Sequence, residues 1–418
     1  MAGPLDGIRV VDFSRVLAGP LCAKTLLDLG ADVVKIEPPR PDISRLAFPG
    51  HAGISGYYAQ QNAGKRNVSI DLNVPGAREL VLRLCDEADV VVENFRAGTL
   101  NFFGLDYETL SARNPRLIYL SITGYGQGGP WMHRMAYAPT VQAEAGLTRH
   151  SLDHYGDALA QPRTDSLSHA DVYAGLQASI AILAALVRRA QTGIGQYIDV
   201  SMAAALTSAN EKAHVYLSGA DLAAEPAILG ATDCPFFEGP SGEQIVLSMS
   251  LVGSVTFPFY LRAMRRPELA ADPRFSSAAA RRKHRSELHA LVQNWMYTFR
   301  TLEALDAQLD EAKIAMGRLR TMQDIAESDW ANYWGAVQTV SDRHGGSFRL
   351  PGRPWRFSRD ALPAAGLPAF QGEHNRTVFE AYGLTAAELD AYEHSGAFVQ
   401  IHRENSNPGD EVETPQVA

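Results

Sequence analysis

Apolar residues in the first 125 positions come in short dense runs, separated by mixed stretches of helical period. The runs at Ile8–Phe13, Asp32–Ile36, Val68–Asp71, Asp89–Glu93 and Leu117–Ile122 are rich in Val and Ile and predict strands. Between them, Leu21–Leu29, Gly76–Asp86 and Tyr107–Ala112 predict helices. Strands apolar on both faces, alternating with amphipathic helices, imply βαβ units and a parallel sheet covered on both sides. The expected class is α/β, with a doubly wound, Rossmann-like large domain. Ligands of such sheets sit beyond the carboxyl ends of the strands. Here those ends read Ser14–Gly19, Glu37–Arg40, Asn94–Arg96 and Thr123–Gly126.

The pattern changes at Pro162–Met202. Polar Ser166, Ser168, His169 and Asp171 run into an apolar block, Ala178–Val187, closed by Arg188-Arg189 and broken at Gly193 and Gly195. This predicts a helix of about five turns, opened by Asp171 and ended by the glycines, and apolar enough to be buried on most faces. Gln196–Met202 then reads as a strand and Ala203–Leu217 as a helix. From Ala223 a small α+β domain follows: a strand, Gly turn and strand over Phe236–Ile245, then helices at Val252–Arg265, Ser286–Trp295 and Thr301–Glu311. The basic run Arg281–Arg285 reads as an exposed helix start. The expected division is residues 1–222 for the large domain, 223–345 for the small one, 346–402 for a C-terminal segment returning to the large domain, and 403–418 for a polar, disordered tail.

Composition narrows the function. A net charge of −9 with no basic stripe argues against nucleic acid as a partner. Three cysteines, far apart and without CxxC spacing, offer neither a disulfide framework nor a zinc site. The N-terminus lacks the pattern of a signal peptide, and the longest apolar run is about half of what a bilayer needs. A cytoplasmic protein with no membrane association is expected.

The chemistry centres on a few polar residues. Asp171 at a helix mouth reads either as a cap or as a carboxylate held ionised for nucleophilic attack, with Asp165 its rival for both roles. The first turn holds only Ala18-Gly19-Pro20, so the dinucleotide fingerprint GxGxxG is missing, which counts against a nicotinamide dehydrogenase. Phosphates would instead meet Arg40, Lys65, Arg66 or Arg96. Asn94-Phe95, an amide beside an aromatic ring at a strand end, suits a flat ring such as adenine.

Several segments together resemble the class III CoA-transferases, the formyl-CoA and carnitine CoA-transferase family, over about residues 4–397. They are PLDGIRVVDFSRVLAGPLCAKTLLDLGADVVKIEPP, NAGKRNVSIDL, VVENFRAGTL, SHADVYAGLQASIAILAALVRRAQTGIGQ, RPELAADPRF and GEH. The resemblance implies that Asp171, in the segment Ala170–Gly175, is the catalytic nucleophile and that Asp165 is not. It assigns CoA binding to Val16, Leu17 and Ala18, to Leu72 and Asn73, to Asn94, Phe95 and Arg96, and to Tyr137. It implies an interlocked homodimer using acyl-CoA and a small carboxylic acid, with CoA as substrate and no tightly bound cofactor or metal. The chain departs from the family at two basic positions, now Pro38 (with Arg40 near enough to substitute) and Phe102. The glycine-rich loop that covers the site in the formyl-CoA branch has no counterpart. Two alternatives share the fold: an α-methylacyl-CoA racemase, which resembles this chain but carries His where Tyr137 stands, and a non-catalytic CoA-binding protein.

Overall fold

A computed structural model of the chain describes residues 3–51, 53–156, 164–219 and 233–400. The expected tail at 403–418 and the expected boundary at 222 lie outside these residues. Two compact units emerge, one taking in the chain to Glu211 and again from Tyr333, the other Lys212–Asn332.

The first unit is built on a six-stranded sheet: β1 (Arg9–Asp12), β2 (Asp32–Glu37), β3 (Arg66–Ser69), β4 (Val90–Glu93), β5 (Ile118–Thr123) and β6 (Gln196–Ser201). All pairings are parallel and the order is β3-β2-β1-β4-β5-β6, the doubly wound arrangement whose direction of winding reverses between β1 and β4. Alternate residues of each strand feed two cores. Val11, Val34, Val91 and Tyr119 face one side; Val10, Val33, Val90, Ile118 and Leu120 face the other. The main helices of this unit are α1 (Ala18–Asp28), α2 (Gly56–Asn62), α3 (Ala77–Asp86), α4 (Tyr107–Arg113), α5 (Ala138–Glu144), α6 (His169–Thr192) and α7 (Met202–Ala209). The C-terminal segment covers the edge strand β3. Asn375 Oδ1 accepts the Ser69 amide at 2.8 Å, and the Val399 amide donates to the Ser69 carbonyl at 3.0 Å. An edge that would otherwise offer free backbone groups is thereby closed.

Helix α6 differs from expectation at its start. It begins at His169, with Ser168 at the cap position, so Asp171 stands within the first turn rather than capping it. The Ala170 amide is satisfied by Gln142 Oε1 of α5 at 3.3 Å. At the other end Gly193 takes φ +75°, the left-handed stop that glycine adopts without cost. Burial is also one-sided. Ala170, Ala174, Ala178, Ile182 and Ala185 are buried, whereas Ile180 and Val187 are 59% and 64% exposed.

The small residues of α6 have a packing reason. A Cβ at Gly175 would stand 2.7 Å from the Ala18 carbonyl oxygen of α1, closer than real contacts allow. Gly175→Ala should push the two helices apart and cost about 1–3 kcal/mol, as a thermal melt would measure.

The expected helix Ala203–Leu217 is two pieces, Met202–Ala209 and Ala213–Ser218, with Asn210 extended between them. In the second unit β7 (Phe236–Glu238), β8 (Gln244–Leu247) and β9 (Met316–Arg318) form an antiparallel sheet in the order β9-β8-β7. Helices Phe257–Met264, Arg285–Met296 and Leu302–Glu311 complete its core through Tyr260, Leu288, Val292 and Leu305. The basic run there is not uniformly exposed: Arg281 is buried, donating to the Val252 and Phe275 carbonyls at 2.9 and 2.7 Å.

Candidate active site

At the reversal between β1 and β4 the two strands send their following loops to opposite sides, and a cleft opens beyond their carboxyl ends. About 1080 Å³ of open space lies there, lined by Val16, Leu17, Ala18, Asn94, Phe95, Arg96, Tyr137, Ser168 and Asp171, with Arg15, Tyr57 and Arg134 at its walls. Eight of the residues singled out from sequence thus converge on one cavity.

Asp171 reaches the cleft from the first turn of α6, where unpaired amides and the helix dipole favour a negative charge. It is partly buried. Burial pushes its carboxyl up to about 6, and the backbone amides of Ala18 and of Asp171 itself pull in the opposite direction. Tyr57 feels this neighbour: burial first, then the charges of Asp171 and Asp42, push its phenol up to about 12.

The other predicted residues divide clearly. Asn94 lines the cleft and also engages the neighbouring loop, its Oδ1 accepting the Arg15 amide and its Nδ2 donating to the Arg15 carbonyl, each at 2.8 Å. It braces the loop after β1 against the loop after β4. The Phe95 ring faces the Arg15 guanidinium at 5.7 Å. Arg96 is exposed in the cleft wall. Tyr137, 58% exposed, also lines the cleft. Arg40, Leu72 and Asn73 follow β2 and β3 at the same end of the sheet but do not line the cavity.

Lys65 and Arg66 are corrected as phosphate ligands. Lys65 is buried, with Nζ 2.8 Å from Asp12 Oδ2 and donating to the Pro20 carbonyl at 3.0 Å. Arg66 pairs with Asp32 at the opposite end of the sheet. Asp165 is exposed and engages His169 Nε2 at 3.0 Å.

Sequence reasoning missed Tyr57 and Arg15, and it missed the groups beneath the turn. Val16 lies at φ +68°, a strained conformation for a β-branched residue. Its amide donates to buried Asp42, which Lys35 Nζ approaches at 3.2 Å. The Lys35 ammonium also donates to the Ser14 carbonyl at 2.5 Å. A positive φ at a valine leaves no trace in sequence.

Fold and cleft define a doubly wound α/β protein with a partly desolvated acid at its topological switch point. The chain belongs to CoA-transferase family III, whose sequence profile matches residues 5–375, and it is an enzyme of that class, using CoA thioesters as substrates. Among its relatives, the succinyl-CoA:mesaconate CoA-transferase of Haloarcula hispanica is 33% identical over 91% of this chain and 97% of its own. The succinyl-CoA–D-citramalate CoA-transferase of Chloroflexus aurantiacus is 29% identical over 92% and 96%. A crystal structure of a CaiB/BaiF family protein from Brucella suis superposes with a TM-score of 0.74 at 31% identity, covering 91% of this chain and 100% of that one.

Proposed function

We propose that this enzyme moves CoA from an acyl-CoA to a carboxylic acid through covalent intermediates on Asp171. The observation that carries the proposal is a partly buried carboxylate at a helix N-terminus, in the switch-point cleft beside Ala18. The carboxylate attacks the thioester carbonyl, giving an aspartyl–acyl anhydride and CoA thiolate. The thiolate attacks the aspartyl carbonyl, giving an aspartyl-CoA thioester and the first acid, which leaves with one oxygen taken from Asp171. The acceptor carboxylate displaces the thiolate to form a second anhydride, and the thiolate takes the new acyl group. Asp171 is regenerated with one oxygen from the acceptor. Splitting the exchange in this way replaces one hard step by easier ones.

Val16, Leu17 and Ala18 with Phe95 and Tyr137 form the walls that would hold the CoA arm. Arg15 and Arg96 take no part in ion pairs among the described residues and suit its phosphates, with Arg40, Leu72 and Asn73 further along the same edge. Succinyl-CoA and short dicarboxylic acids, named for the relatives, are the first donors and acceptors to test. The exposed apolar face of α6, with Leu176, Ile180 and Val187, is a surface that a second copy of the chain would cover, in keeping with a homodimer. A racemase needs two bases flanking the α-carbon, and no histidine is among the described residues lining the cleft.

The oxygen bookkeeping supplies the test. With an ¹⁸O-labelled acceptor, label should appear in the donor acid released one turnover later. Unlabelled donor acid over many turnovers would exclude the anhydride route. The carboxyl titrating at about 6 also sets a pH dependence. The protonated acid is no nucleophile, so kcat/KM should be flat above about pH 7 and fall about tenfold per unit well below pH 6, as read from a pH–rate profile.

A further inference from the structure

The turn between β1 and α1 is gripped from two sides. On one side the Asp42 carboxylate accepts the Val16 amide, 3.1 and 3.2 Å from its two oxygens. Asp42 is 3% exposed and is fixed by Lys35 Nζ at 3.2 Å and the Ser44 amide at 3.0 Å. Burial opposes its charge, but Lys35 and the Ser44 and Val16 amides outweigh it and hold the carboxyl below its usual range. On the other side, Asn94 takes both backbone groups of Arg15. Between the two, Val16 is held at φ +68°, which its own side chain resists, so its surroundings must impose it. Two residues on, Ala18 shares the cleft with Asp171, whose carboxyl its amide pulls down, and the Ala18 carbonyl lies against Gly175, one turn further along α6.

We propose that Asp42 and Asn94 are positioning residues for CoA transfer: their clamp on Arg15 and Val16 sets the Ala18 amide against the Asp171 carboxylate. The proposal rests on Asp171 being the nucleophile. Both residues act through backbone, and Lys35 keeps Asp42 ionised so that it accepts strongly. The charged and titratable groups sharing the cleft with Asp171 are Arg15, Tyr57, Arg96, Tyr125, Arg134 and Tyr137. Of the elements packed on α6, α1 presents Cys22 to Ser179 two turns away. Its Lys24 is paired with Asp28, and Glu144 of α5 with Arg134. His169 and Asp165 face each other.

The test compares Asp42→Asn and Asn94→Ala with the native enzyme in kcat, KM for acyl-CoA and the pH dependence of kcat/KM. Each should lower kcat about 10- to 100-fold, the loss typical of a misplaced reacting group. For Asp42→Asn, KM should change less than kcat. In both, the acid limb should move to higher pH, because the ionised carboxylate has lost the pull of the Ala18 amide. Adding Val16→Gly to Asp42→Asn should recover part of kcat, since glycine holds φ +68° unaided. A merely structural Asp42 would lower the melting temperature without moving the acid limb. Asn94 is only partly buried, so Asn94→Ala carries the test should Asp42→Asn fail to fold. Acid limbs unmoved in the folded variants overturn the clamp. Asp171→Ala, assayed in parallel, separates the two failures: surviving transfer there overturns the nucleophile itself, whereas its loss beside unmoved limbs overturns the clamp alone.

Discussion

Asp171→Ala will reduce CoA transfer by at least about 10⁴-fold, the scale on which removal of a covalent nucleophile is felt, while acyl-CoA binding changes only a few-fold. The site predicts a second, opposite effect on stability. Burial holds the Asp171 carboxyl at about 6 against an ordinary value of 3.8, so the folded protein binds this proton more tightly than the unfolded chain. Stability from that source is present below pH 3.8 and is lost as pH rises through 6. At pH 7–8 the ionised carboxylate is therefore a net penalty. Asp171→Asn, which cannot ionise, should be inactive yet more stable at pH 8, by up to about 3 kcal/mol. The gain should shrink toward pH 4. Paired denaturation curves at the two pH values, with equilibrium binding of acyl-CoA, check all three statements.

Arg45→Met should cost about 3–5 kcal/mol of folding stability, the usual loss when one partner of a buried ion pair is removed. Arg45 is 3% exposed. Its Nη2 and Nε each stand 2.9 Å from an oxygen of Glu37 at the end of β2. It also donates to the Gly53 and Ala369 carbonyls at 3.1 and 3.0 Å, tying the C-terminal segment to the sheet. Without the guanidinium, the Glu37 carboxylate keeps Asn67 Nδ2 at 2.8 Å and the Tyr58 hydroxyl at 3.1 Å but has lost its counter-charge. The double variant with Glu37→Gln should regain much of the loss. Urea titration of the single and double variants provides the measurement.

Five of the six strands of the main sheet were legible as Val/Ile runs in the first 125 residues, because a parallel sheet buried on both faces is filled mainly by apolar side chains. The sixth was legible from its place after the long helix. The cleft residues that follow β1 and β4 were legible too, since strand ends are fixed once the strands are, whereas Tyr137 came from resemblance. Charged residues inside the fold were not. Lys35, Asp42, Arg45 and Lys65 look in sequence like solvated surface, and Lys65 reads there equally well as a phosphate ligand. Their partners lie 7 to 53 positions away, at distances that no local pattern encodes. An amide at a strand end can hold a ligand or the neighbouring loop; Asn94 lines the cleft and also holds Arg15, 79 positions away. The assignment of Asp171 over Asp165 came from resemblance rather than pattern. The geometry separates them by placing one in the cleft and the other on His169.

The most direct test of the central claim is to trap the enzyme during turnover. Incubation with acyl-CoA followed by hydroxylamine, with peptide mass spectrometry, should show a hydroxamate on Asp171, formed only when acyl-CoA is present. An unmodified Asp171 peptide in enzyme that is turning over, or adducts confined to another residue, would contradict the account.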